Sequence, residues 1–98
     1  MLTLREYADK LREKFPANKP IRVVRTVIPK QGRNRGFGDC TKFRKHYLIR
    51  INKSHPLYVQ KDTLDHEWAH CLDWGNDEHG WRWGILYAKI YRHMDEIC

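Results

Sequence analysis

Tyr47-Leu48-Ile49-Arg50-Ile51-Asn52 is followed, after a connection over residues 53–60 that contains Pro56, by Lys61-Asp62-Thr63-Leu64-Asp65-His66-Glu67-Trp68-Ala69-His70-Cys71-Leu72-Asp73-Trp74-Gly75. The change of period between these two runs decides the fold class. Over residues 46–52 the side chains alternate, with Tyr47, Ile49 and Ile51 facing one way and Leu48, Arg50 and Asn52 the other. That is the pattern of a half-buried strand. From Lys61 the apolar residues Leu64, Trp68, Cys71 and Leu72 instead recur at helical spacing. Asp62 or Thr63 can cap this helix, which is expected to run to about Trp74 and end at Gly75.

Upstream, Ile21 to Ile28 is rich in β-branched residues and stops at Pro29, so a strand is expected there. Gln31 to Gly38 holds three glycines and reads as a loop, and a short strand fits Asp39 to Arg44. Thr3 and Glu6 form a capping-box pattern. Leu4, Tyr7, Ala8, Leu11 and Phe15 follow at helical spacing until Pro16. Downstream of a polar loop at 75–80, Trp81 to Met94 reads as a last helix, with Trp81, Ile85, Ala88 and Tyr91 on one stripe. The expectation is one α+β domain over residues 1–98. It has an N-terminal helix, a small antiparallel sheet of about three strands, a helix at 61–74 and a C-terminal helix.

The composition sets limits on function. With 98 residues, 41% of them apolar, the chain is one small domain with a core, not a disordered or collagen-like segment. No apolar run approaches the length of a membrane span. The first residues show no basic-then-apolar export signal, so a cytoplasmic protein without a membrane partner is expected. Cys40, Cys71 and Cys98 form no Cys-x-x-Cys pair and are read as free thiols. A domain of this size buries a modest core, and a bound metal is one way to stabilise it.

Charge is divided along the chain. Residues 1–56 carry 15 basic and 4 acidic residues, whereas residues 57–98 carry 4 basic and 8 acidic. The excess peaks at Lys30, Arg33, Arg35, Lys42, Arg44 and Lys45, which makes these six the candidate contacts for a polyanion such as DNA. A solvated basic loop that keeps the protein soluble explains the same residues equally well.

His66-Glu67-Trp68-Ala69-His70 is an HExxH sequence. Four helical residues turn the chain through about 400°, so both imidazoles project from one face. They can then share one Zn²⁺. Glu67, about 100° further round, stands beside such an ion and can take a proton from activated water. His79 is the preferred third ligand, because a chain reversing at Gly75 can return it to the metal. Three protein ligands leave a fourth position for water. Asp73, Asp77 and Glu78 are the competing ligands. Asp73 suits orienting an imidazole, and Asp77 with Glu78 suits the start of the next helix. His46, His55 and His93 lack ligand spacing, and Trp68, Trp74, Trp81 and Trp83 are read as helix-packing residues. Tyr87, Tyr91 and His93 are open candidates for steadying an oxyanion. The strand at 46–52 is a candidate to hold a peptide as an added strand.

His66-Glu67-Trp68-Ala69-His70 followed by His79-Gly80-Trp81-Arg82-Trp83 resembles the SprT-like zinc metallopeptidases, with Trp83 in the place of a family aromatic. Ile49-Arg50-Ile51-Asn52 is similar to the strand that precedes the family's active helix, and Asn34-Arg35-Gly36 to its Arg/Gly loop. The resemblance implies a minimal zincin-like core of the Spartan type without the zinc ribbon of larger members. It implies His66, His70 and His79 as zinc ligands and Glu67 as general base. A zinc-dependent endopeptidase acting on protein or peptide, including DNA-associated protein, is the expectation. The alternatives are a metal-dependent nucleic-acid hydrolase of the endoribonuclease kind and a non-catalytic, zinc-stabilised nucleic-acid-binding module.

Overall fold

The computed structural model describes residues 1–29, 36–75 and 79–97. Helix α1 (Leu4–Lys14) begins at the expected box: the Glu6 N–H donates to Thr3 Oγ1 at 3.1 Å and the Thr3 N–H to Glu6 Oε1 at 3.0 Å. It buries Leu4, Tyr7, Ala8 and Leu11 and stops just before Pro16, which cannot continue a helical ladder. Three strands follow, β1 (Ile21–Thr26), β2 (Gly38–Lys42) and β3 (Tyr47–Asn52), then helices α2 (Leu57–Leu72) and α3 (Trp81–Ile97). The expected α+β layout is present. Among the described residues no helix is long and apolar enough to cross a membrane.

The sheet corrects one expectation. Its order is β1-β3-β2, with β2 antiparallel to β3 but β1 parallel to it, so the sheet is mixed and not purely antiparallel. The physical reason is the short connection at residues 43–46, where the Phe43 N–H donates to His46 O at 2.8 Å. That turn folds β2 and β3 into a hairpin and leaves β3's other edge to β1, after two chain reversals. β3 is the central strand because it is the most apolar. Tyr47, Ile49 and Ile51 are buried on the face that α1 and α2 cover, as the alternation predicts. Asn52 is buried where the strand ends. Its Nδ2 donates to the carbonyls of Ile28 and Gly36, and its Oδ1 accepts from the Ser54 N–H at 2.9 Å. One side chain thereby fixes the segments flanking the strand.

Helix α2 starts at Leu57, more than a turn before the expected cap at Asp62 or Thr63. Pro56 supplies the entry with φ −56°. Thr63 lies inside the helix and turns its hydroxyl back onto the Val59 carbonyl at 2.8 Å, a side-chain bond compatible with helix. The Gln60 side chain donates to His55 O at 2.7 Å, which ties the first turn to the segment before it. The C-terminal end falls at Leu72, with Asp73 as cap and Gly75 at φ +93°, a conformation that suits glycine. Trp68 is buried beneath the helix, and its indole N–H donates to Phe15 O at 2.9 Å, locking α1 to α2. Gly38 is required by close approach: a Cβ there would lie 2.7 Å from Arg50 O and 2.7 Å from Thr63 Cγ2.

Helix α3 packs on α2, and by a different face from the one expected. Ile90 and Met94 are buried, with Trp83, Leu86 and Tyr87 packed against the core. Trp81, Ile85 and Tyr91 are exposed, whereas Trp74 is partly covered and its ring lies 5.7 Å from that of the buried Tyr47, so of the four tryptophans Trp81 is the one that does not pack as the sequence reading supposed. Helix α3 carries apolar residues on two sides, and the side chosen is the one that meets the histidines of α2.

Candidate metal centre

His66 and His70 project from α2 one turn apart, and their Nε2 atoms lie 3.2 Å from each other. His79 comes from the two residues preceding α3 with φ 57°, in the left-handed region that a non-glycine residue adopts at some cost. This backbone turn brings its Nε2 to 3.1 Å from His70 and 3.2 Å from His66. Three imidazole nitrogens therefore form a nearly equilateral triangle. Two nitrogens bound at about 2.0–2.1 Å to a tetrahedral ion lie about 3.3 Å apart, so the spacing fits one ion. A neutral imidazole has one N–H, and three such lone-pair nitrogens converging on a point satisfy one another poorly. The three expected ligands are thus together, and they are the one group among the described residues arranged to hold a metal.

Glu67 is buried, and its Oε1 lies 3.8 Å from His66 Nε2, outside the triangle of nitrogens. The next helical position has done what a rotation of about 100° predicts: the carboxylate stands beside the centre and off it.

Aromatic rings hold the histidines in place. Trp83 stacks on His70 at 5.2 Å and 23°, and meets His66 and His79 edge-on at 4.8 and 4.6 Å. Its indole N–H donates to the His66 carbonyl at 3.3 Å. Tyr87 meets His66 at 90° and 5.7 Å, and its hydroxyl donates to Asp62, four residues before His66 on the same stripe. Burial, reinforced by Asp62, pushes the Tyr87 phenol above its ordinary pKa, so it remains a hydrogen-bond donor. The sequence reading named Tyr87 without singling it out and missed Asp62. The continuation of the 66, 70 stripe back to 62 was the available signal.

Cys71, adjacent to His70, faces Cys40 of β2 with the two sulfurs 2.9 Å apart. The hydrogen bond between the two thiols, followed by burial, raises the Cys71 thiol, which favours the neutral form. Both are free, as expected, and Cys98 lies outside the described residues.

Other expectations resolve individually. His46 stacks on Phe43 and His55 on Phe37, and His93 meets Phe15, so none joins the metal group. That packing also takes His93 out of the oxyanion candidates, and Tyr91 stacks on Tyr87 with about half its surface exposed. Asp73 caps α2 and is half-buried. The strand at 46–52 is not available to a peptide, because β3 is paired on both edges. Among the described residues the outer edges of the sheet belong to β1 and β2. Of the basic residues, Lys42, Arg44 and Lys45 are exposed around the β2–β3 turn. Lys30, Arg33, Asn34, Arg35, Asp77 and Glu78 lie outside the described residues. In comparisons with known proteins, the chain matches no family model, no curated protein and no solved structure.

Proposed function

We propose that this chain is a zinc-dependent endopeptidase with His66, His70 and His79 as ligands and Glu67 as general base. The observation that carries the reading is the convergence of three Nε2 atoms at 3.1–3.2 Å beside a buried carboxylate on the same helix. The resemblance of these motifs to SprT-like metallopeptidases supports zinc as the ion and a polypeptide as the substrate. When bound, zinc supplies Lewis acidity, which lowers the pKa of water and polarises a carbonyl oxygen.

The chain's own groups do the rest. Glu67 accepts the proton of the attacking water and returns it to the departing amine. Its burial keeps competing water from the carboxylate. Trp83 fixes the imidazole planes, so the ligands need no reorganisation during turnover. The β2 edge, held against α2 through Gly38 and Cys40, is the strand to which an extended substrate adds. Lys42, Arg44 and Lys45 at its end give polyanion-bound proteins, including those on DNA, a favourable approach. Free thiols suit a reducing compartment, the cytoplasm.

The test is cleavage of casein by the zinc-loaded protein beside Glu67→Gln. The variant should retain one zinc per chain and lose activity by at least ~10²-fold, the scale of a positioned general base. Equal cleavage by both proteins removes Glu67 from the mechanism. Inert casein together with Glu67-dependent cleavage of labelled RNA transfers the centre to nucleic-acid hydrolysis.

A further inference from the structure

The edge of β1 lies across the sheet from β2. The Tyr47 N–H donates to Pro20 O at 2.9 Å and the Lys53 N–H to Thr26 O at 3.0 Å, so even-numbered residues of β1 turn their backbone groups towards β3. Backbone direction alternates along a strand, which turns those of Ile21, Val23 and Arg25 outward. Arg12 takes the Ile21 carbonyl through Nε at 3.2 Å and Nη2 at 2.9 Å. The N–H and C=O of Val23 and Arg25 meet no hydrogen-bond partner among the described residues.

These groups open on a groove of about 440 Å³ between β1 and α1. Leu4, Ala8 and Val23 give it an apolar lining, and Arg5, Arg12 and Arg25 surround it. Its one carboxylate, Asp9, is already paired with Arg12 at 2.8 Å. Arg25 is held by the neutral Gln60 at 2.9 Å, which leaves its charge uncompensated. The groove is therefore positive, apolar at its base and bordered by free donors and acceptors.

We propose that this edge binds an extended acidic peptide segment of a partner protein as a fourth strand. The peptide bonds to Val23 and Arg25 through its backbone and to Arg5 and Arg25 through carboxylates. An added strand supplies both donors and acceptors. A DNA backbone offers acceptors alone, and the phosphates of either nucleic acid would set anions against the Val23 and Arg25 carbonyls, which favours the peptide. Every second residue of the added strand faces α1, so a motif in which acidic and apolar residues strictly alternate sets all its carboxylates on that side, towards the arginines. Because the metal helix lies against β2 and β3, the site recruits a partner and leaves the centre free.

The experiment titrates the full chain into a fluorescein-labelled (Glu-Val)₄ peptide at low salt and follows anisotropy. Saturable binding is expected, at least tenfold tighter than for (Lys-Val)₄. Arg5→Glu with Arg25→Glu should abolish that preference. Val23→Pro deletes the outward N–H, a change that an edge strand tolerates, and should weaken binding about tenfold with helix content preserved. Should Val23→Pro fail to fold, the charge-reversal pair decides alone. Absence of saturation, or equal affinity for the two peptides, overturns the proposal. So does an oligothymidylate that binds through the same arginines while (Glu-Val)₄ does not.

Discussion

Asp65 precedes the first metal-site histidine by one residue and is almost fully buried at 2% exposure. The Tyr7 hydroxyl, from 58 positions earlier, reaches both its oxygens at 2.8 Å. Burial raises the carboxyl to about 7, against the opposing hydrogen bond from Tyr7. The pair ties α1 to the helix that carries His66, so it bears on the geometry of the centre as well as on the fold. Tyr7→Phe removes the side-chain donor that this carboxyl has among the described residues and should cost about 1–3 kcal/mol, the scale for an orphaned buried polar group. Urea unfolding should show a lower midpoint with an unchanged slope; an unmoved midpoint would mean that water replaces the phenol. At this scale the sequence is unevenly legible. HExxH is visible because its members are helical neighbours, whereas Asp65 looks like one more charge among eight acidic residues of its half. Its partner is adjacent only after folding.

Two glycines separate what an element tolerates from what its packing tolerates. Gly38, in β2, faces a backbone oxygen and a methyl at 2.7 Å, and neither is the far end of a flexible side chain. Gly38→Ala should force the strand from α2 and destabilise by about 1–3 kcal/mol, as overpacking does. Gly84, inside α3, has nothing within 4 Å of where a Cβ would stand. Gly84→Ala should stabilise by up to about 1 kcal/mol through helix propensity. Denaturant midpoints moving in opposite directions check both. Element types were largely readable: capping box, alternation and period change each mark a real element. Strand order and the packed face of α3 were not. Periodicity identifies a strand without saying which neighbour it takes. In α3 the apolar stripe at Trp81, Ile85 and Tyr91 outcompetes on paper the one at Trp83, Tyr87, Ile90 and Met94, which wins through contact with histidines on another helix.

At the scale of the molecule, the three histidines join α2 to the start of α3 across the loop that ends at Gly80. His79 holds a left-handed backbone there, and its described contacts are the two other imidazoles and Trp83. An ion bound there would hold the entry to α3 in place, and its binding free energy would become folding free energy. At a free zinc concentration of 100 times Kd, linkage contributes about 2.7 kcal/mol. For a domain of this size that corresponds to roughly 10–20 °C in melting temperature. Chelation should lower the transition by that amount, and zinc should restore it. His79→Ala should abolish most of the zinc-dependent increment while leaving the chelated protein's melting temperature nearly unchanged, since an exposed imidazole contributes little to the core. Hydrogen exchange should locate the difference at residues 79–84, with the amides of β3 protected in either state. A melting curve that ignores zinc would mean that the three nitrogens converge without holding an ion, and the endopeptidase reading would lose its centre.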